Sequence, residues 1–536
     1  MRTTSILGAA LALATSLSST AWAQCPSWTV DSPFPHFNER FASSVAVDGG
    51  TWVVGSPGHF GEGRAQVYSS SLEGAVFEGY LWPGELESLD SFGATVAVHD
   101  DMIVIGAPGD DDGTYGAGAV YVYERIMGSW IKTAKLTSAW PTASASFGSS
   151  LAVEDDWIAV GAPFDSKSIA YGGRVSLFHR TEFGWQIEDE LPGIHVLERF
   201  GTSLALDAGR LAVGAPGFDG GSVQIFELVA GHWVSGAVLE PQGAKHGDEF
   251  GSSVALDGEL MVAGARSDSV VAPGAGAAYV FGEVGGAWVE LQRLQADIPV
   301  ASDRFGGAVE LSDGFLAIGM PGSDIAAPEG GAVTFFAGGH LSGSSYKPFV
   351  SEEHLLPLGA AGGEQYGSTI AMSPFGMWVG APGEDTLEND AGRAHAYSFV
   401  DIGCASLSVG PKEVSLHDLT ALTFELDAGP DMAGQPYFML GTSQAYAGPT
   451  MLGGMAIPLT GPDSYTIHLL HNVNQNGHES TAAYLDANGQ GTARIDLTTV
   501  DVALMNGMQL SHVFFCFTPE GKTTFVSSVA TTQVIW

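Results

Sequence analysis

The chain is short of positive charge. Of its 536 residues only 20 are Lys or Arg, against 60 Asp or Glu, and the net charge of -40 repels phosphate backbones and anionic lipid headgroups. Nucleic-acid binding and membrane-surface binding are thereby excluded as expectations. Cysteine is scarce as well: with only Cys25, Cys404 and Cys516, at most one intrachain bridge can form. After residue 23 no apolar run reaches the roughly 18 residues that a bilayer-spanning helix needs. Catalytic signatures are also missing: there is no Gly-x-Ser-x-Gly elbow, no His-Glu-x-x-His pair and no phosphate loop. Gly116-Ala117-Gly118 and Gly274-Ala275-Gly276 lie in strand connections with no helix behind them, so neither reads as a nucleotide site.

What is plentiful is glycine. The 73 glycines are spaced between apolar runs of strand length and mark turns rather than disorder. The 45% hydrophobic content suffices for sizeable cores, and the length suits two or three domains. Residues 1–23 read as a secretory signal, with Arg2 in the positive region, Ile6 to Leu17 apolar and Ala21-Trp22-Ala23 as the cleavage site, leaving Gln24 first. Trp22-Ala23-Gln24 lacks the small residue expected beside a lipidated cysteine, so Cys25 is not read as a lipid anchor. The protein is expected to be secreted or surface-associated, without a transmembrane segment.

A repeat organises the sequence. The stretch Glu249 to Ala265 has close copies whose leading aromatic falls at Phe41, Phe92, Phe147, Phe200, Phe250, Phe305 and Tyr366, at intervals of 50 to 61 residues. Each copy continues through an apolar run, an Asp- or Gly-containing turn and a second apolar run into Gly-Ala-Pro or a near copy. These are Gly55-Ser56-Pro57, Gly106-Ala107-Pro108, Gly161-Ala162-Pro163, Gly214-Ala215-Pro216, Gly264-Ala265-Arg266, Gly319-Met320-Pro321 and Gly380-Ala381-Pro382. Units of this length are too long for solenoid helices and suit propeller blades.

Within the fifth unit, Ser253 to Leu256 is expected as an inner strand, Asp257-Gly258 as a hairpin turn, Leu260 to Gly264 as a second strand and Ala277 to Phe281 as a third. A fourth begins near Trp288. Small residues suit an innermost strand that converges on an axis, and an unbroken apolar run such as Met102 to Ile105 implies burial on both faces. Tryptophans 130, 185, 233 and 288 mark outer strands and are read as packing rather than as sugar platforms.

The seventh unit ends at Val400 without a tryptophan strand, while Trp28-Thr29-Val30 matches the missing piece, so the N-terminal strand should close the ring. That pairing brings Cys25 near Cys404, and a Cys25–Cys404 disulfide is expected, with Cys404–Cys516 as the alternative. The motifs resemble the FG-GAP repeat of the integrin alpha-subunit propeller and its bacterial relatives, over roughly residues 25–403. The fold expected is therefore all-β, a seven-bladed β-propeller at 25–403 followed by a small C-terminal β-sandwich at 405–536, where short alternating apolar runs alternate with turn signals.

The resemblance implies calcium in the first hairpin of each repeat, on an Asp-x-Asp-x-Asp-Gly-x-x-Asp loop. That loop is absent here: turns such as Asp48-Gly49-Gly50 and Asp257-Gly258-Glu259 are too short to wrap an ion, so no cofactor is expected. A second acidic set recurs after Gly-Ala-Pro, at Asp110, Asp165, Asp219, Asp268, Asp324 and Asp385, and recurrence favours bonds inside the connection between second and third strands. Asp110-Asp111-Asp112 is the local cluster where a metal would sit if one is held. A third set, Glu39, Asp90, Glu198, Asp248, Asp303 and Glu364, precedes the aromatic by two positions and reads as loop structure. His468, His471 and His478 do not share a strand face and read as scattered histidines.

The connections between second and third strands lie on one face of the disc and vary most. They are the expected place for a ligand, with Asp110, Asp111, Asp112, Tyr115, Asp165, Tyr171, Asp219, Asp268, Asp324 and Asp385 as candidate contacts. The expected function is a non-enzymatic binding or adhesion module for an extracellular protein or polysaccharide. The alternatives are a polysaccharide hydrolase or lyase on a propeller scaffold, and a structural envelope protein.

Overall fold

A computed structural model of the chain describes residues 28–398, except 72–73, 343–344, 358–361, 374–375 and 386–389, and beyond residue 405 only strands. Seven four-stranded antiparallel sheets make up the repeat region, six of them built in chain order from the inside outward. Blade one comprises Ser44–Asp48, Thr51–Ser56, Arg64–Ser71 and Gly74–Leu81, and blade two Thr95–His99, Met102–Ala107, Ala119–Ile126 and Ser129–Leu136. Blade three comprises Ser150–Glu154, Trp157–Ala162, Arg174–Thr181 and Gly184–Pro192; blade four, Ser203–Asp207, Arg210–Ala215, Ser222–Val229 and His232–Leu239. Blade five comprises Phe250–Asp257, Leu260–Ala265, Ala277–Val284 and Ala287–Leu294; blade six, Ala308–Ser312, Phe315–Met320, Ala332–Ala337 and Val350–Leu355. Blade seven takes Thr369–Ser373, Gly376–Ala381 and Arg393–Ser398 from the end of the repeat and Trp28–Asp31 from its start. Thr29 lies opposite His395 and Asp31 opposite Arg393.

Hydrophobic burial lies between blades rather than within them. Every residue of Met102–Ala107 is buried, because one face of this second strand meets blade one and the other blade three. Trp130, Trp185, Trp233 and Trp288 pack against these inter-blade cores. The repeated aromatics are essentially inaccessible, from Phe41 at 0% to Phe200 at 2%, and each such ring contributes about 1.5–3 kcal/mol of burial.

The repeated glycines and hydroxyls form a latch at each junction. The aromatic N–H donates to a carbonyl of the preceding blade: Phe92 to Glu62 (2.9 Å), Phe200 to Gly172 (2.9 Å), Phe305 to Ala275 (2.8 Å) and, closing the ring, Phe41 to Ala391 (2.9 Å). The next residue's carbonyl accepts from the inner-strand hydroxyl of that preceding blade. Ser44 reaches Gly93 O at 2.9 Å, Thr95 reaches Gly148 O at 2.6 Å, Ser203 reaches Gly251 O at 2.8 Å and Ser253 reaches Gly306 O at 2.9 Å. The same carbonyl lies against the glycine of Gly-Ala-Pro. A Cβ on Gly214 would sit 2.1 Å from Gly251 O and 2.2 Å from Ser203 Oγ, so only glycine fits there.

On the opposite face the first-hairpin carboxylates reach across blades as well. Asp48 accepts from Asp100 N (2.6 Å), Glu154 from Ala208 N (2.6 Å) and Asp207 from Gly258 N (2.7 Å). These acids therefore cap the neighbour's turn, beyond the local turn preference that their sequence suggests.

Blade six departs from this pattern. Ala308 has no hydroxyl to offer, and the third inner-strand position, alanine at 46, 97, 152, 205, 255 and 371, is Glu310. Its carboxyl accepts from the Met372 N–H of blade seven, and burial between these strands pushes its pKa up to about 8.

Beyond residue 405, Ser406–Val409, Ala421–Asp427, Gln490–Asp496 and His478–Glu479 form one sheet. Glu413–Ser415, Ala530–Ile535, Gln509–Phe517, Pro436–Thr442 and Ala482–Tyr484 form another, with Thr523–Val526 pairing to Gln509–Phe517. The sandwich expected from the sequence lies outside the described residues. The signal segment and the Cys25–Cys404 bridge also lie outside them.

Two outcomes follow from this geometry. Gly214→Ala should lower stability by about 2–3 kcal/mol through backbone overpacking, and Ser203→Ala by about 1 kcal/mol through one lost hydrogen bond, both read from urea midpoints. An unchanged midpoint in Gly214→Ala would show that the junction has slack. For Glu310, a folded-state pKa raised above the ordinary value means its contribution is fully present at acid pH. That contribution is lost as pH rises from about 4.5 through about 8. Urea titrations across that window should show wild type losing stability relative to Glu310→Gln; parallel profiles would assign the titration elsewhere.

Candidate functional site

Second strands end on one face of the disc, and there the connections into third strands meet the connections between blades. Position for position, the residue after Gly-Ala-Pro-Gly or its equivalent faces the third residue of the third strand and its partner on the fourth. In blade two these are Asp110, Tyr121 and Lys135; in blade five, Asp268, Tyr279 and Arg293.

Asp110 is buried and accepts from Tyr121 Oη at 2.9 Å and Lys135 Nζ at 2.8 Å. Lys135 also contacts Asp112. Burial disfavours its ammonium, but the hydrogen bonds to Asp110 and Asp112 prevail and hold its pKa above the usual lysine range. Asp268, equally buried, accepts from Tyr279 Oη at 2.8 Å and Arg293 Nη2 at 3.0 Å, and burial pushes the Tyr279 hydroxyl up to about 12.

Blades three, seven and one fill the same place differently. Arg174 lies between Asp165 (3.4 Å) and Glu190 (3.1 Å). Arg393 joins Glu384 (2.7 Å) to Asp31 (2.7 Å), and His395 Nε2 lies 2.8 Å from the other oxygen of Glu384. In blade one Ser32 donates to Glu39 at 2.8 Å, and Ser56 meets Gln66 at 3.2 Å. In blade six Thr334 lies 3.1 Å from His354, which reaches Asp297 at 3.2 Å.

The ten candidate contacts separate into three groups. Asp110, Asp165 and Asp268 are buried and satisfied internally, each also accepting an N–H two residues on, such as Val270 N to Asp268 at 2.9 Å. Asp111, Asp324 and Asp385 stand one position later and accept the N–H five residues on, as Glu329 N does to Asp324 at 2.8 Å and Asp390 N to Asp385 at 2.6 Å. A single recurring offset therefore resolves into two positions with different jobs. Asp112, Tyr115, Tyr171 and Asp219 are exposed. The third acidic set caps the connections between blades: Asp90 accepts from Glu87 N (2.7 Å), Asp248 from Lys245 N (2.7 Å) and Glu198 from His195 N (2.6 Å).

Blade four is open where the others are filled. Phe218 stands in the place of Asp110, Gln224 in that of Tyr121 and Val238 in that of Lys135. A cavity of about 400 Å³ results, lined by Ile194, His195, Glu198, Phe218, Asp219, Gln224, Val238 and Glu240 among others. The His195 ring stacks on Phe218 with centroids 4.3 Å apart and planes at 9°. Among the described residues no group of three or more His, Cys, Asp or Glu is arranged to hold a metal. Sequence reading found Asp219 but missed Glu198, Gln224 and Val238 as site residues. The available signal was Phe218 and Val238 standing where the second repeat has Asp110 and Lys135 and the fifth has Asp268 and Arg293.

The filled blades should behave as coupled pairs. Arg293→Met leaves the buried Asp268 without its counter-charge and should destabilise the protein by about 2–3 kcal/mol, with most of the loss recovered when Asp268→Asn is added. Additive losses in urea denaturation would show that the two side chains act independently.

The FG-GAP repeat family model matches residues 76–123, 130–178 and 233–281. Each match runs from the outer strand of one blade through the junction to the third strand of the next. No curated protein matches the chain. Among solved structures, a Bacteroides uniformis protein provisionally named a 6-phosphogluconolactonase is similar at 10% identity and TM-score 0.42, over 59% of this chain and 85% of that one. That likeness bears on neither activity nor site. Three matches that each straddle a junction, on a ring of seven sheets, make the chain an FG-GAP repeat β-propeller protein.

Proposed function

We propose that the protein is a non-enzymatic binding or adhesion module, exported from the cytoplasm, that holds an extracellular protein or polysaccharide on the loop face of its propeller. The observation that carries this reading is a ring of apolar tips. Successive connections between second and third strands present Phe60, Tyr115, Tyr171, Phe218, Val270 and Ile325, each between 48% and 71% exposed. Exposed apolar groups set among carboxylates on a rigid frame are the composition of an interaction surface. In blades two, three, five and six the connections are held by the Asp and Ser bonds beneath, while Phe60 and Phe218 rest on the His36 and His195 rings and still stand exposed.

The interblade cores and latches fix the tips in place, so binding does not first have to order them. The charge of -40 favours a neutral or cationic partner over an anionic one. Export rests on the N-terminal segment read from sequence. Among the described residues no helix is long and apolar enough to cross a membrane.

The test compares the full chain with Phe60→Ser/Tyr115→Ser/Tyr171→Ser in glycan-array and extracellular-protein pull-down assays. Capture should fall at least about tenfold while the melting midpoint stays put, since exposed substitutions change stability by no more than about 0.5 kcal/mol. Undiminished capture, or no capture by the unaltered chain, would reject the loop face as the binding surface.

A further inference from the structure

The filled positions show what blade four lacks. At this place blades one, two, three, five and seven each carry a cation of their own: Arg64 over the Tyr80 ring (4.2 Å), Lys135 on Asp110 (2.8 Å), Arg174 on Asp165 (3.4 Å), Arg293 on Asp268 (3.0 Å) and Arg393 on Glu384 (2.7 Å). Blade six has His354. Blade four offers Ser222 where Arg174 and Arg393 stand and Val238 where Lys135 and Arg293 stand, and no Lys or Arg lines its cavity.

The carboxylates nevertheless remain. Glu198, Asp219 and Glu240 all line the cavity. Glu198 is the telling one: it is only 7% exposed, and both its hydrogen bonds, from Ile194 N (2.5 Å) and His195 N (2.6 Å), fall on Oε2. Its Oε1 has no partner among the described residues.

We infer that the blade-four cavity is a binding site for an ammonium-bearing sugar, a 2-amino hexose unit, whose cation supplies the positive charge this blade lacks: Lys135 and Arg293 meet Asp110 and Asp268 in their own blades, and here, where Phe218 stands in that place, the buried carboxylate on offer is Glu198. The ammonium would meet Glu198, and hydroxyls would meet Asp219, Glu240 and Gln224. A cavity of about 400 Å³ accommodates a ring rather than a lone side chain, and the flat Phe218–His195 pair offers an apolar wall for a sugar face. Charge-assisted bonds to a largely desolvated carboxylate are the strong kind.

This inference rests on the loop-face binding reading and narrows its ligand to an amino-polysaccharide. The test is calorimetric titration of the full chain with D-glucosamine and short chitosan oligomers, beside glucose and N-acetylglucosamine. Glucosamine should bind saturably and weaken in high salt, with the two uncharged sugars at least about tenfold weaker. Val238→Lys sits at an exposed site and restores the internal cation, so it should abolish glucosamine binding without lowering the melting midpoint. Glu198→Gln should weaken binding about tenfold or more. Equal affinity for glucose, undiminished binding by Val238→Lys, or no glucosamine binding at all would each overturn the assignment. Were glucosamine not to bind while capture through the apolar tips survived, the pocket alone would fall. Loss of tip-dependence with glucosamine binding intact would sink only the loop-face reading.

Discussion

The structure depends on one close approach, repeated at the junctions. A backbone carbonyl of one blade is pressed against the backbone of the blade before it, near enough that Gly214 has no room for a Cβ. This approach joins three separate features. The aromatic can bury completely only if its own N–H is satisfied across the junction, and the carbonyl that follows must find a donor once water is excluded. The inner-strand hydroxyl supplies that donor, and the strand beneath must be glycine to admit it. Aromatic, glycine and hydroxyl therefore recur together as parts of one contact.

Ring closure uses the same contact with altered chemistry. Gly380 meets the carbonyl of Ala42, which stands where other repeats have glycine and adopts a φ of +63°. Phe41 N–H still reaches its carbonyl, Ala391 O, and Trp28–Asp31 adds the fourth strand on the outside. The first and last repeats are thus joined twice, by the latch near the axis and by strand pairing at the rim. Asp31 adds a third tie, since its carboxylate holds Arg393 at 2.7 Å.

The ring was legible in sequence because its determinants are local and repeated: the interval between aromatics, the unbroken apolar second strands and the missing tryptophan strand after Val400. The cross-blade role of Asp48 and Asp207 was not, because an Asp in a Gly-containing tight turn is expected whether or not a neighbour needs capping. The acids after Gly-Ala-Pro were legible as structural. Their division into a buried position and an exposed one was not, since Asp110-Asp111 and Ser323-Asp324 differ by a single register that only the third-strand contacts reveal. Least visible was the open place in blade four. It arises from what Phe218 and Val238 are not, and that becomes evident only when Tyr121, Lys135 and their counterparts are seen to occupy one volume.

The open blade also follows from how buried charges behave. Removing a cation such as Arg293 alone would strand Asp268, whereas replacing both partners by apolar groups is close to neutral. Blade four shows the second kind of change: Phe218 replaces the acid and Val238 the base, so the sheet keeps its cores and its latch while the volume between the loops empties. Glu198 could not leave with them, because its other oxygen holds the connection from blade three through the N–H groups of Ile194 and His195. A carboxylate fixed by a structural duty then lines a cavity that holds no Lys or Arg. Repeated elsewhere the same acid is unremarkable; here it stands with Asp219 and Glu240 in a lining without Lys or Arg, and that is the ground for assigning the gap in the repeat to a ligand's charge.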